Sequence, residues 1–286
     1  MIMGEISKRL HGKLKATAST VLLPRSSKGR IPSPQTPDIA QLIADGLDPV
    51  HAAYVLIQHI ASVFAENVSQ LPEMATFAKE VGKAEDEYLP SGPPMSPLTT
   101  SYFTSWAFFD HRIGKTTDTL ASCLIDANDI IWMNPDQLDA LRKMNESRMG
   151  IYEHRGWQEN YVRLRELITD RDYLCHVASG YRGKAGEQWY VRLLPPLVPE
   201  LATYHVAFTT PCILIDTTTK DWIDFLRRNM AGMKASSEAD ALHRLVKFGP
   251  AKNYWNEFVF RAYHHHQGDA VYLSGIPDLK STLPHA

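Results

Sequence analysis

GIYEHRGWQENYVRLRELITDRDYLCHVASGYRGKAGEQWYVRLLPP, residues Gly150 to Pro196, is the one long region of this chain that reads as consecutive β-strands joined by short turns. Val162 and Leu164 alternate with Arg163 and Arg165, so one face is apolar and the other basic. The alternation breaks at Glu166-Leu167-Ile168, which marks a bulge or the strand's end. Thr169-Asp170-Arg171-Asp172 is a polar turn into a strand over Tyr173 to Ala178. Gly180, Gly183 and Gly186 punctuate the next connection. Trp189, Val191 and Leu193 then share a face, and Pro195-Pro196 stops the run because proline cannot donate to a sheet ladder. Four short strands in so little chain predict a small, bent antiparallel sheet or partial barrel.

Working outward, helical sequence precedes this module. Asp48-Pro49 is a cap followed by a first-turn proline, and Ala52, Val55, Leu56, His59, Ile60 and Val63 follow at helical spacing. Thr36-Pro37 carries the same signal ahead of Ile39, Leu42 and Ile43. A more polar helix is expected over Pro72 to Tyr88. Leu89 to Pro97 contains four prolines and a glycine, and reads as a connector. Beyond it Tyr102, Phe103, Trp106, Phe108 and Phe109 supply core volume and end in Asp110-His111-Arg112, a charged triplet expected where core meets solvent. Thr116 or Thr117 is the expected cap of a helix through Ile125, and Asn134-Pro135-Asp136 opens another.

After the module, Val206 to Ile215 reads as one buried strand. Helices follow around Trp222, Phe225 and Leu226, then around Leu242 and Leu245. A last long helix is expected from Ala251 to Gln267. The fold class is therefore α+β. A helical N-terminal block comes first, the small bent sheet or partial barrel sits in the middle, and a further strand and helices close the C-terminus. The expected organisation is a basic, disordered head over residues 1–35, a helical block over 36–90, and an α+β domain over 98–286 with its β module at about 150–196.

Net charge of the 286 residues is -2, which does not describe a body that binds DNA by overall charge. The head differs from the rest. Lys8, Arg9, Lys13, Lys15, Arg25, Lys28 and Arg30 stand against the single acid Glu5, so the head is +6 and the remaining chain -8. Such an arm is attracted to phosphate backbones or acidic partners, and apart from Glu5 it also has the composition of an organelle transit segment. Three scattered cysteines form no disulfide framework, and no apolar run approaches the roughly 20 residues of a membrane span. A cytoplasmic protein is the expectation.

Familiar catalytic signatures are missing. Gly114-Lys115-Thr116 ends like a phosphate loop, but Phe109 stands where that motif needs its first glycine. There is no Gly-x-Ser-x-Gly elbow, and Cys175 and His176 point to opposite faces of a strand. Chemistry centres on two places. Tyr263-His264-His265-His266 closes the expected last helix, where Glu257, Arg261 and His265 form a stripe at four-residue spacing with His264 beside it. Asp110 and His111 are the nearest complementary donors. A charged turn and a helix-end histidine cluster are the ordinary readings of both.

Two functions follow as expectations. The first is a binding or accessory protein that contacts a protein or nucleic-acid partner through the β module, on its Arg163 and Arg165 side, and through the basic head. It needs no cofactor. The alternative is a metal-dependent hydrolase, acting on phosphoesters, in which Asp110, His111 and Glu257 do the chemistry. His264, His265 and His266 would then hold zinc or manganese that activates water.

Overall fold

The computed structural model describes residues 3–18, 39–89, 99–113, 118–197 and 202–285. The expectations for Thr36-Pro37, for most of the proline-rich connector, for Gly114 to Thr117 and for Arg25, Lys28 and Arg30 lie outside the described residues. The chain divides into two compact units, Met1–Val81 with Ala107–Glu146, and Gly82–Trp106 with Ser147–Ala286.

The first unit is helical. Its elements are α1 (Glu5–Ala18), α2 (Ile39–Ala44), α3 (Pro49–Val68), the first half of α4 (Ala75–Tyr88), and, after the second unit's α5 (Thr99–Ser105), α6 (Leu120–Asp126), α7 (Asn128–Ile131) and α8 (Pro135–Glu146). Glu5 to Ala18 was expected to be irregular and is a helix. Its apolar positions explain this, because Leu10 is fully buried and α1 packs against α6 and α7. Propensity alone would not hold so short a helix in water; the packing supplies what the isolated segment lacks. Asp48 caps α3 by accepting from the amides of Val50 and His51 at 3.0 and 3.1 Å. Asn134 and Gln137 exchange side-chain-to-backbone bonds at the start of α8. The cap of α6 is Thr119 with Ser122 in a reciprocal box, not Thr116 or Thr117. Each such cap is worth about 1 kcal/mol.

The second unit holds the sheet. Its strands are β1 (Met149–Gln158), β2 (Tyr161–Glu166), β3 (Asp172–Val177), β4 (Gln188–Leu194), β5 (His205–Ala207), β6 (Cys212–Ile215), β7 (Tyr263–Gln267) and β8 (Ala270–Ser274). Three helices accompany them, α9 (Thr219–Met230), α10 (Glu238–Phe248) and α11 (Tyr254–Ala262). β1, β2 and β3 form an antiparallel meander, and β1 also pairs antiparallel with β4. β5 lies parallel to β3 and antiparallel to β4, which closes a five-stranded barrel in the order β1-β2-β3-β5-β4-β1. β6, β8 and β7 extend the sheet from the free length of β4.

The alternation read in the sequence is the alternation of the barrel wall. Val162, Leu164, Cys175, Val177 and Val191 point inward with Trp189, which has no exposed surface. Burying each aliphatic side chain of this size stabilises the fold by about 1.5–3 kcal/mol. The irregularity of the meander sits in β1, between His154 and Trp157, and not at Glu166 to Ile168, where β2 simply ends. Gly156 supplies the positive φ of 99° that this bulge requires. The connection from β3 to β4 folds down on the barrel at Gly183. A Cβ there would come within 2.5 Å of the Trp189 ring and 3.1 Å of His154, and φ is 58°.

Two C-terminal expectations change. Val206 to Ile215 is two strands, because β5 pairs with β3 and β4 whereas β6 pairs with β4 and β8. Between them Pro211 lacks an amide, and the Thr209 hydroxyl accepts from the amide of Arg192 at 3.0 Å. The expected helix from Ala251 to Gln267 ends at Ala262, and Tyr263 to Gln267 becomes β7. Gly268, at φ 56°, turns β7 into β8, and the pairing this hairpin gains outweighs continuation of the helix.

Candidate binding face

β2 carries the expected working side, and its register on β3 decides what that side presents. Arg163 stands opposite Leu174, and Arg165 opposite Asp172. Arg165 donates from Nε and Nη2 to both carboxylate oxygens of Asp172, each at 3.0 Å. That bidentate bond, with the charge of Arg165 and then Arg163, holds the Asp172 carboxyl below the usual range. Arg165 is thus committed to its neighbour strand. Arg163 is 49% exposed and approaches the same carboxylate at 4.0 Å, beyond hydrogen-bonding distance.

Tyr161 precedes Arg163 by two and therefore shares its face. Its ring meets that of Tyr204, just ahead of β5, with centroids 4.6 Å apart and planes at 32°. The face accordingly offers two packed rings, one half-exposed guanidinium and the partly buried Leu174. At the β1 bulge Trp157 donates its indole N–H to the carbonyl of Arg182, and the Arg182 guanidinium lies 4.7 Å from the Trp157 ring centroid. Such a pair is a cation–π contact on the barrel rim. Tyr161 was legible by its spacing from Arg163. Tyr204, Trp157 and Arg182 were not, since each meets its partner through strand pairing or a bulge.

His154 lies beneath this rim with no exposed surface. Its Nδ1 accepts from the amide of Gly156 at 3.0 Å, which places the proton on Nε2, donated to the carbonyl of Arg182 at 3.2 Å. Desolvation pushes its pKa down. Both nitrogens are used, so this neutral histidine holds the bulge.

The histidine run occupies β7, with consequences for the stripe expected there. Glu257 and Arg261 do pair along α11 at 3.1 Å. His264, however, is the bulged residue of β7, and its Nδ1 contacts that of His265 at 2.7 Å. His265 stacks on Tyr272 with centroids 4.4 Å apart and planes 6° apart, and His266 bonds the Tyr263 hydroxyl at 2.9 Å. Tyr272 in turn reaches Tyr181, whose hydroxyl donates to Glu187 at 3.2 Å. Glu187 also accepts from the indole of Trp189 at 3.0 Å. Glu257 and the histidines thus lie on separate elements, the helix and the strand that follows it.

Asp110 and His111 belong to the other unit. Contrary to the expected position at the core's edge, both are buried, within and just after a π-helical turn over Trp106–Asp110. His111 Nε2 lies 3.2 Å from a Glu80 carboxylate oxygen, and its ring packs on Phe77. Among the described residues, no three His, Cys, Asp or Glu side chains are grouped so as to hold a metal ion. Cys123, Cys175 and Cys212 are buried, and desolvation pushes the Cys123 and Cys212 thiols up to about 12. They are poor nucleophiles.

The described part of the head presents its bases on α1. Lys8, Arg9, Lys13 and Lys15 are exposed, while Ser7 and Leu10 face inward and His11 bonds Asp129 at 2.8 Å. No described helix is long and apolar enough to cross a membrane. Comparison with family models, with curated proteins and with solved structures finds no match to this chain.

Proposed function

We propose that this chain is a binding protein that lays a single strand of nucleic acid across the outer face of its barrel. The observation that carries the reading is the ring pair Tyr161 and Tyr204 beside the half-exposed Arg163 on a closed five-stranded wall. Aromatic rings accept the π-face of any base, and a neighbouring guanidinium suits the backbone phosphate. The connectivity supports it by analogy. A five-stranded barrel in which β1 closes on β4 and β3 runs parallel to β5 is the arrangement of oligonucleotide- and oligosaccharide-binding barrels, whose second and third strands carry the ligand. The Trp157–Arg182 pair extends the same chemistry to the rim.

The test is binding of a labelled single-stranded oligonucleotide to the full chain, read by fluorescence anisotropy across a salt series. Tyr161→Ala and Arg163→Ala should each weaken binding, and Arg163→Ala should also flatten the salt dependence, by about 0.7 in the logarithmic slope. A wild-type chain that binds no single strand, or variants that bind as tightly as wild type, would overturn the reading.

A further inference from the structure

The first unit carries a surface that the barrel does not account for, formed by α1 and the residue that follows α7. Two features of it are costly for the isolated protein. Gly12 lies in the middle of α1 on its exposed side, and a Cβ built there meets nothing within 4 Å. Glycine inside an exposed helix costs about 1 kcal/mol against alanine, and among the described residues no packing contact requires it. Trp132 is 84% exposed and sits in the left-handed region at φ 64°. Its backbone is held there on both sides. The Trp132 amide donates to the carbonyl of Asn128 at 2.9 Å, and the Met133 amide donates to the Asn128 side-chain oxygen at 3.0 Å. A bulky residue fixed in a strained conformation and pointed at solvent is a recurrent mark of a functional position.

The two features are linked through α7. α1 packs on α7 where His11 bonds Asp129 at 2.8 Å, and Trp132 directly follows the last residue of α7, Ile131. Around Gly12 the exposed bases are Lys8, Arg9, Lys13 and Lys15. At 1.5 Å rise per residue Arg9 and Lys13 are about 6 Å apart along the axis, and Lys8 and Lys15 about 10.5 Å. Glu5 and Asp129 lie on the same surface, each already engaged, with Arg9 and with His11.

We infer that this surface is a second docking site for single-stranded nucleic acid, with backbone phosphates along α1 and a base stacked on Trp132. Gly12 is the point of closest approach, where a side chain would hold the backbone away from the helix. The four bases match the charge of the phosphates, and an exposed indole suits an unstacked base, which a duplex does not present. Its residues belong to the first unit and those of the barrel face to the second, so its variants change none of the barrel-face residues.

Three substitutions in the full chain test it. Trp132→Ala should weaken binding of a labelled single strand roughly 5- to 150-fold and leave duplex affinity unchanged. Lys8→Glu with Lys15→Glu should weaken binding and lower the salt slope by about 1.4. Gly12→Ala should raise the melting temperature while weakening binding, an opposition that a purely structural role does not produce. If Gly12→Ala binds as tightly as wild type and Trp132→Ala affects single strand and duplex alike, the inference is wrong. Loss of binding in the barrel variants alone would overturn this site and leave the barrel reading standing. A wild-type chain without single-strand binding would overturn both.

Discussion

The rings of Tyr161 and Tyr204 pack at a tilt of 32° with their centroids 4.6 Å apart, one opening β2 and the other leading into β5. The pair exists because β5 returns alongside β3 and closes the barrel. Removing either ring therefore tests the face and the closure together. Tyr204→Ala should cost about 0.5–1.5 kcal/mol from the ring pair, measured by urea denaturation, and should weaken oligonucleotide binding together with Tyr161→Ala. Tyr204→Phe should retain both stability and binding, because the stacking surface is kept.

Asp172 restrains the charge of the proposed face. Its carboxylate holds Arg165 in a bidentate grip and draws Arg163. Asp172→Asn should release both guanidiniums and tighten oligonucleotide binding with a steeper salt dependence. The same pair has a pH signature. The Asp172 pKa is depressed in the folded chain, so its contribution is present above the unfolded value of about 3.9 and is lost as pH falls through the folded one. Thermal melts below pH 4 should show a smaller acid loss in Asp172→Asn than in wild type.

Two histidines set a second pH window. Burial lowers the pKa of His154, and burial followed by the charge of Lys247 lowers that of His243 to about 4. The unfolded chain binds those protons near pH 6.5 and the folded chain resists them. Stability is therefore complete above about pH 6.5 and declines as pH falls toward 4. His243→Asn should flatten the melting temperature between these limits, and an unchanged slope would remove His243 as a cause.

Glu166 closes β2 from inside. It is buried, accepts from Arg148 at 2.7 Å and from Thr169 at 2.6 Å. Glu166→Ala leaves the largely buried Arg148 without its carboxylate, which should cost about 3–5 kcal/mol in denaturant melts. Glu166→Ala with Arg148→Met should recover much of that loss, because no buried charge is then left unpaired.

Much of the fold was legible because it is local. The alternation of Val162, Arg163, Leu164 and Arg165 placed β2 and its two faces correctly. Asp48-Pro49 and Asn134-Pro135 marked real helix starts. The misreadings came where long-range pairing overrode a local pattern. Tyr263 to Gln267 has a helical look after α11, but Ala270 to Ser274 returns beside it and makes it a strand. Asp110-His111 looks like an exposed turn, but Glu80 and Phe77 from a distant helix enclose the imidazole.

The sequence by itself determined which side of each barrel strand is apolar, where several helices begin, and that the bases crowd the head. Those are properties of side-chain period, backbone caps and charge, each set within a few residues. Tertiary structure alone decided that the four strands of Gly150 to Pro196 close with a fifth, and that Arg165 is neutralised by Asp172 while Arg163 is half exposed. It alone brought Tyr204 to Tyr161, and α7 against a helix, α1, that the sequence had left without structure. Such pairings form only when apolar burial draws distant segments together, and a one-dimensional pattern carries no record of the partner.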